Sequence, residues 1–252
     1  GLEAVKGFGA DQVVALRPSQ MVGLSSAQVG AFSTESLRGM ASEVIGGLSA
    51  AQVRGLSPTN LRVFGPGQLA AFTSAQVAAL SPEQVGGFAG IDPGMSPGEP
   101  GSGSGIAGLR PEVIAALGGT QLGFLGSRQV AGMTPDQIAA VGAAGIKSLS
   151  AEAVTVLNAE QAAALTPNQF AGLTPQQVSW LSPQALGGLR QGNDPAMTGG
   201  GVSTQTISAL TSLQAGALTS AQVMSLSVDQ LSALQSSSLR ALSLGALKVL
   251  GS

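Results

Sequence analysis

Large apolar residues recur every eight residues along this chain, from Phe8 to Phe88. A second apolar series runs three residues ahead of the first, from Val5 to Val85. The same pattern resumes over residues 106–189 and 207–250. A fixed short period is the signature of a repeat protein, in which each unit packs on its neighbours instead of around one central core. We number the octapeptide so that the two series occupy positions 5 and 8.

The consensus octapeptide, S/T-P/A-x-Q-V-x-x-L, reads as the start of a helix and little else. Ser or Thr at position 1 is a preferred N-cap, Pro at position 2 suits the first helical residue, and Gln at position 4 completes a capping box. The apolar residue before the cap and the one at position 5 form a hydrophobic staple. Because proline inside a helix removes backbone hydrogen bonds, the chain must turn again and again. Nine of the thirteen prolines occupy position 2: Pro18, Pro58, Pro66, Pro82, Pro111, Pro135, Pro167, Pro175 and Pro183.

These features predict an all-α fold, a solenoid or superhelix of very short helices built from octapeptide repeats. A β-solenoid is the alternative, but apolar spacings of three and five, together with Ala and Gln enrichment, favour helix. Two interpretations stay open for the small residue, Gly or Ala, that precedes most position-8 residues. It either lets successive coils pack closely or ends the short helix. The Gln found at position 4 in sixteen units either caps its own helix or forms a ladder of hydrogen bonds between stacked coils.

A longer period of 101 residues organises the octapeptides into blocks, because GIDPGMS at residues 90–96 corresponds to GNDPAMT at residues 192–198. The third block stops after six units, and the chain starts at Gly1. We therefore expect a segment of a longer array, or a subunit whose ends are covered by neighbours. The predicted organisation is octapeptide blocks at 1–88, 102–189 and 203–252, a Gly/Pro linker at 89–101 and a Gly-rich linker at 190–202.

The composition argues against most chemical functions. The chain has no His and no Cys, so it offers no catalytic triad and no thiolate or imidazole metal site. We predict that it is not an enzyme and uses no cofactor, metal or small-molecule substrate. A net charge of −2 gives no field that attracts nucleic acid. No uninterrupted apolar run reaches 18 residues, so no membrane span is expected.

Most charged residues have a structural explanation. Ten carboxylates occupy position 3, in the first helical turn, where they favour the helix dipole. The linker residues Asp92 and Asp194 each precede a proline and are interpreted as turn initiators. Because the linkers recur at a fixed interval, both are also candidate assembly contacts. Arg38, Arg54 and Arg62 share position 6, where they form either a solvated face or a local basic stripe.

Trp180 and Phe124 are bulky residues at position 7, which is otherwise occupied mostly by small residues. Each would anchor a partner surface if exposed, since aromatic residues are enriched in binding hot spots. Filling a local gap in the core is the interpretation that the sequence favours. Both residues remain candidate contacts.

The stretches LTPNQFAGLTPQQVSWLSPQAL at 165–186 and LTSAQVMSLSVDQLSAL at 218–234 carry a family resemblance. They resemble the LTxxQVxAL octapeptide tracts of very large bacterial surface and secreted proteins of the adhesin or haemagglutinin-like kind. The resemblance implies a bacterial origin, an extracellular or cell-surface location and an extended structural role. We therefore expect a self-associating filament subunit or a surface stalk or spacer. The alternative is a solenoid scaffold that binds a peptide, protein or glycan.

Overall fold

A computed structural model of the protein describes residues 5, 7–88, 105–190, 198–199 and 201–250. The chain divides into two compact units, Gly1–Gly132 and Met133–Ser252. Their boundary falls inside the second of the predicted octapeptide blocks. Each unit is built almost entirely from helices of one turn.

The described part of the first unit contains thirteen α-helices of four to six residues and one short 3₁₀-helix. Each α-helix begins at position 2 of an octapeptide. The 3₁₀-helix begins at Gly105, the first residue described after the first linker. The α-helices are Ala10–Val14, Pro18–Met21, Ser26–Gly30, Thr34–Gly39, Ser42–Gly46, Ala50–Val53, Pro58–Arg62, Pro66–Ala70, Ser74–Ala78, Pro82–Gly86, Pro111–Ile114, Gly119–Gly123 and Ser127–Gly132, and the 3₁₀-helix is Gly105–Gly108.

The described part of the second unit follows the same plan, with thirteen α-helices of five or six residues and one pair of two-residue strands. The helices are Pro135–Ala140, Ala143–Ser148, Ala151–Thr155, Ala159–Ala163, Pro167–Gly172, Pro175–Trp180, Pro183–Gly187, Thr204–Ser208, Ser212–Gly216, Ser220–Ser225, Val228–Ser232, Ser236–Ala241 and Leu244–Lys248, and the strands are Leu189–Arg190 and Thr198–Gly199.

The helix Pro82–Gly86 shows why each element starts and stops where it does. Its N-cap Ser81 accepts a hydrogen bond from the Gln84 N–H at 3.2 Å, and Gln84 Oε1 accepts one from the Ser81 N–H at 2.8 Å. The C-cap Gly87 keeps a right-handed conformation, with φ −76° and ψ −19°. The predicted helix start is therefore confirmed. A left-handed glycine does not end this helix; the extended backbone of the next position 1 does.

Stacking of the helices produces the solenoid. Within each unit, a helix packs on the helix three octapeptides further along, as Ser26–Gly30 does on Ala50–Val53. The same pairing holds on the two sides of each linker: Ser74–Ala78 packs on Pro111–Ile114, and Pro183–Gly187 packs on Ser220–Ser225. The linkers are thus inserted without disturbing the coil. The α-solenoid prediction is confirmed, and the β-solenoid alternative is wrong for the described residues.

The two apolar series form the core. Position-5 side chains in the interior of the coil are fully buried, as at Val53 and Val77, and position-8 residues close the same core from the other end of the octapeptide. Phe72 touches two aromatic neighbours, with ring centroids 5.7 Å from Phe64 and 6.1 Å from Phe88. Burial of these aliphatic and aromatic groups stabilises the stack by about 25 cal/mol per Å² of apolar surface.

A short antiparallel pair lies where the second linker leaves and rejoins the coil. Leu189 is opposite Gly199, and Arg190 is opposite Thr198. Gly201 follows with a φ of +82°, a conformation that suits glycine, and a Cβ there would lie 2.3 Å from the Gly188 nitrogen. Val202 then becomes buried and donates its N–H to the Leu186 carbonyl at 3.0 Å. The coil resumes from this residue.

Candidate functional site

The glutamine at position 4 is the most informative polar residue of the octapeptide. Gln76 Oε1 accepts a hydrogen bond from the Thr73 N–H at 2.8 Å, which caps its own helix. Its Nε2 donates to the carbonyls of Ile45 at 2.8 Å and Leu48 at 2.7 Å, which belong to the octapeptide four units earlier. Gln76 is only 2% exposed. The capping interpretation and the inter-coil interpretation of this glutamine therefore both hold, because Oε1 caps its own helix and Nε2 bonds the stacked octapeptide.

The same arrangement recurs along both units at fixed intervals. Within a block, Nε2 reaches carbonyls 28 and 31 residues earlier, as at Gln52 and Gln68. Across a linker the intervals become 41 and 44, as at Gln121 and Gln214, because the chain between the stacked octapeptides is 13 residues longer. The geometry of the hydrogen bonds is unchanged. The glutamines that link octapeptides in this way include Gln52, Gln68, Gln76, Gln84, Gln121, Gln129, Gln161, Gln169, Gln177, Gln214, Gln222 and Gln230.

Short hydroxyl side chains replace the glutamine in a few octapeptides and keep the link between coils. The hydroxyls of Ser36, Thr206 and Ser238 donate to carbonyls of earlier octapeptides in the coil, those of Phe8, Leu165 and Leu210 respectively. Within the described parts of the chain, every buried side-chain nitrogen or oxygen has a hydrogen-bond partner. Polar satisfaction of this kind is required when a polar group is buried so deeply.

Some glycines at positions 6 and 7 lie where the backbones of stacked octapeptides touch. A Cβ added to Gly55 would lie 1.9 Å from the Ser26 carbonyl oxygen, and one added to Gly30 would lie 2.0 Å from the Gly55 oxygen. In the second unit, a Cβ on Gly187 would lie 1.9 Å from the Ser225 oxygen. No side chain fits at these distances. The close-packing interpretation is confirmed at Gly55, which precedes a position-8 residue, but not at Gly23, where a Cβ would meet nothing within 4 Å.

The three arginines do not lie in one row. Arg38 and Arg62 are on helices that stack on each other, Thr34–Gly39 and Pro58–Arg62. Arg54 is the C-cap of the helix Ala50–Val53, which belongs to another row, and its Nε donates to the Ala79 carbonyl of the next coil at 3.1 Å. All three side chains are exposed, as expected for a solvated face. The predicted stripe is thus reduced to the pair Arg38 and Arg62.

Phe124 corrects an interpretation made from the sequence. Its side chain is 50% exposed, so it does not fill a gap in the core. The reason is geometric: the Phe124 carbonyl faces Gly86 of the preceding coil, with the oxygen 3.3 Å from a Cβ built there. Position 7 therefore makes the inter-coil contact through its backbone. Trp180 ends the helix Pro175–Trp180 in the second unit and is half-buried.

The position-3 carboxylates lie in the first helical turn, as predicted. The pKa of Glu83 is lowered by hydrogen bonding to its own backbone N–H and then to the Ser81 hydroxyl. The pKa of Glu152 is lowered in the same way, by its own N–H and by Ser150. Among the described residues, no three Asp or Glu side chains converge as metal ligands would. Asp92 and Asp194 lie outside the described residues.

One open groove of about 410 Å³ lies between two stacked helices of the second unit. Lys147 provides the charged side chain at this groove, and the remaining walls are mostly small or apolar. The residues that line the groove are Ala143, Ala144, Lys147, Ala171, Gly172, Leu173, Thr174 and Pro175.

In the part of the chain that the structure describes, the longest helices have six residues, far short of a membrane-spanning segment.

Core positions are less completely buried in the first and in the last octapeptides that the structure describes. At the first coil turn, the position-8 residues Phe8, Leu16 and Leu24 are only half-buried, although position 5 there is buried. In the last described octapeptides, the position-5 residues Leu239 and Leu247 are 37% and 43% exposed, and the position-8 residue Leu250 is 43% exposed. The periodic pattern identifies these residues as core positions.

Comparison with known proteins supports the repeat architecture. The family model of the ALTTAQ repeat matches residues 56–89. This chain is a repeat protein. The matched segment spans about four octapeptides of the first unit and includes Gln68, Gln76 and Gln84, three of the glutamines that link coils. No curated protein matches the chain.

Proposed function

We propose that this chain is a structural protein that self-associates, as a filament subunit or as an extended spacer on a bacterial surface. The observation that carries the proposal is the repeated inter-coil interface. Within each unit, the helices of a described interior turn pack on helices of the turn before and on helices of the turn after. A protein built in this way extends by adding turns, since stability in repeat proteins comes from contacts between neighbouring units.

An extracellular or cell-surface location is supported by the resemblance to the octapeptide tracts of large bacterial adhesin-like proteins. In this proposal the chain carries out no catalysis and uses no cofactor. Its partner is another copy of itself, and nucleic acid is not a ligand.

Electron microscopy of the purified chain over a concentration series, with light scattering on the same samples, tests the proposal. We expect particles that lengthen as the concentration rises. Particles that stay monomeric at every concentration would contradict self-association. They would leave the spacer role and the scaffold role as the remaining functions.

The scaffold alternative has one observation in its favour, the exposed aromatic ring of Phe124. A half-exposed phenylalanine is a suitable anchor for a peptide or glycan partner. If a peptide or glycan array yields a ligand, Phe124→Ala should weaken its binding. Val22→Ala, a change at another exposed apolar residue of the same unit, should not. Equal binding by both variants would remove Phe124 from the scaffold hypothesis.

A further inference from the structure

We infer that each unit of this chain lengthens under tension one coil turn at a time, so that the solenoid acts as an extensible tether. A turn opens by separating from the turn that it stacks on, and its residues then add their extended length to the chain. A turn that contains a linker releases more chain than the others. The inference rests on the proposed structural role and specifies how such a protein responds to a pulling force.

The main contacts between described helices reach only the next turn of the coil. In each unit, helices that pack on each other within a block begin 24 residues apart, as Ser26–Gly30 and Ala50–Val53 do. The side-chain hydrogen bonds between turns have a similarly short range, at 28 and 31 residues for Gln76. The chain has no Cys, so no disulfide joins distant turns. A turn can therefore open while turns beyond its neighbours keep their contacts.

The bonds between stacked turns are the ones that a pulling force loads. Gln68 Nε2 donates to the carbonyls of Leu37 and Met40 in the preceding turn, at 2.8 and 2.6 Å. Because the donor and its acceptors belong to different turns, separating the turns breaks both bonds. The same separation exposes core side chains such as Val53 and Val77, which are fully buried in the stack. Resistance to extension is thus divided among successive turns.

A linker changes the length of chain in a turn but not the contacts that close the turn. Ser74–Ala78 packs on Pro111–Ile114, and these two helices begin 37 residues apart. Gln121 closes the same turn, because its Nε2 donates to the Val77 and Leu80 carbonyls, 44 and 41 residues earlier. Opening this turn therefore releases 13 residues more than opening a turn without a linker.

The two kinds of turn give two sizes of extension. At about 3.4 Å per extended residue, 24 residues correspond to about 80 Å of chain and 37 residues to about 125 Å. Packed helices lie about 8–10 Å apart, so each measured increment is smaller than the extended length by about that distance. The difference between the two increments is about 45 Å and does not depend on the stacking distance.

One row of stacked helices in the first unit suits a measurement of these increments. The first linker lies between the third and the fourth helix of the row. Ser19 and Arg128 are exposed position-3 residues on the first and the last of these helices, four turns apart. Because the chain has no Cys, the substitutions Ser19→Cys and Arg128→Cys provide two unique attachment points. The row consists of Pro18–Met21, Ser42–Gly46, Pro66–Ala70, Gly105–Gly108 and Ser127–Gly132, each packed on the next.

Optical-tweezers stretching of the full chain between these two cysteines tests the inference, because only residues 19–128 then bear the load. We expect four separate increments, three of about 70 Å and one of about 115 Å, and each should reverse when the force is lowered. A single increment that releases all four turns together would overturn the inference. The proposed self-association would stand in that case, because it is measured separately by microscopy and light scattering.

Deletion of residues 89–101 identifies the long increment. The residues that close the turn across the linker, such as Gln121, Val77 and Leu80, remain in this variant. The long increment should shorten by about 45 Å, so that all four become equal, and the other three should not change. A long increment that persists in the deletion variant would also overturn the inference.

Gln76→Glu tests whether the glutamines resist the opening of a turn. The substitution removes the hydrogen bonds to the Ile45 and Leu48 carbonyls, so the lifetime of one increment at a fixed force should fall about tenfold. Ala75→Glu is the matched control, because it adds the same charge at an exposed position of the same helix and should leave all four lifetimes unchanged. Equal lifetimes in the two variants would contradict the role of the glutamine. Circular dichroism checks the fold of both, and the deletion variant gives an independent result.

Discussion

Gln76 offers the sharpest test of how the solenoid holds together, because Gln76→Glu removes one function of the side chain and leaves the other. The retained oxygen still accepts the Thr73 N–H. Loss of the Nε2 donor removes the hydrogen bonds to the Ile45 and Leu48 carbonyls. The substitution also places a carboxylate beside these carbonyls, at a residue that is 2% exposed. Two hydrogen bonds at about 1 kcal/mol each, and about 2 kcal/mol for burying the charge, give a loss of about 4 kcal/mol.

Gln28→Glu is the matched control. Gln28 has the same capping box, with its Oε1 accepting the Ser25 N–H at 2.9 Å, but its Nε2 has no partner in the described chain. A carboxylate in the first helical turn also interacts favourably with the helix dipole. We therefore expect Gln28→Glu to change the free energy of unfolding by no more than about 0.5 kcal/mol.

Urea denaturation followed by circular dichroism, at a concentration too low for association, measures both variants. With a dependence of about 2 kcal/mol per molar urea, Gln76→Glu should lower the midpoint by about 2 M. Because unfolding of repeat proteins is partly local, hydrogen exchange of the amides near Leu48 and Val77 provides a second readout. Equal midpoints and equal exchange in the two variants would show that the glutamine is a cap only, and the reasoning would fail.

Three further predictions concern close packing, the linkers and pH. Gly55→Ala should destabilise the first unit by about 3 kcal/mol, because its Cβ would lie 1.9 Å from a backbone oxygen, whereas Gly23→Ala, with nothing within 4 Å, should be neutral or slightly stabilising in the same urea assay. Deletion of residues 89–101 should leave the helical circular dichroism intact and raise the stability by up to about 2 kcal/mol, since a 13-residue loop no longer has to be closed; loss of cooperative unfolding would contradict this. Folding lowers the pKa of Glu83 and Glu152. Their contribution to stability is therefore present above the ordinary pKa of 4.5 and is lost as the pH falls through the lower folded pKa values. The double variant Glu83→Gln, Glu152→Gln should flatten the acid side of a profile of stability against pH.

Much of the fold is predictable from local pattern. The N-cap, the proline at position 2 and the capping glutamine each act within one octapeptide, and the helix Pro82–Gly86 forms as that pattern predicts. The apolar series at positions 5 and 8 correctly identifies the core residues, because a helix of one turn has only one face to bury. Local chemistry and an eight-residue period are sufficient for these features.

The candidate contacts were harder to predict. The exposure of Phe124 depends on which part of position 7 meets the neighbouring coil, and its backbone makes that contact. The separation of Arg54 from Arg38 and Arg62 depends on the number of octapeptides in a turn. Neither the contact made at position 7 nor the number of octapeptides in a turn can be derived from one octapeptide, because every octapeptide has nearly the same sequence.

The sequence alone determined the helical unit, its period and its buried positions, since those follow from capping, proline geometry and hydrophobic spacing within eight residues. Only the tertiary structure decided which octapeptides meet, and therefore that Gln76 joins Ile45 and Leu48. The physical reason is that hydrogen bonds across 28 and 31 residues exist only after the coil has closed a turn.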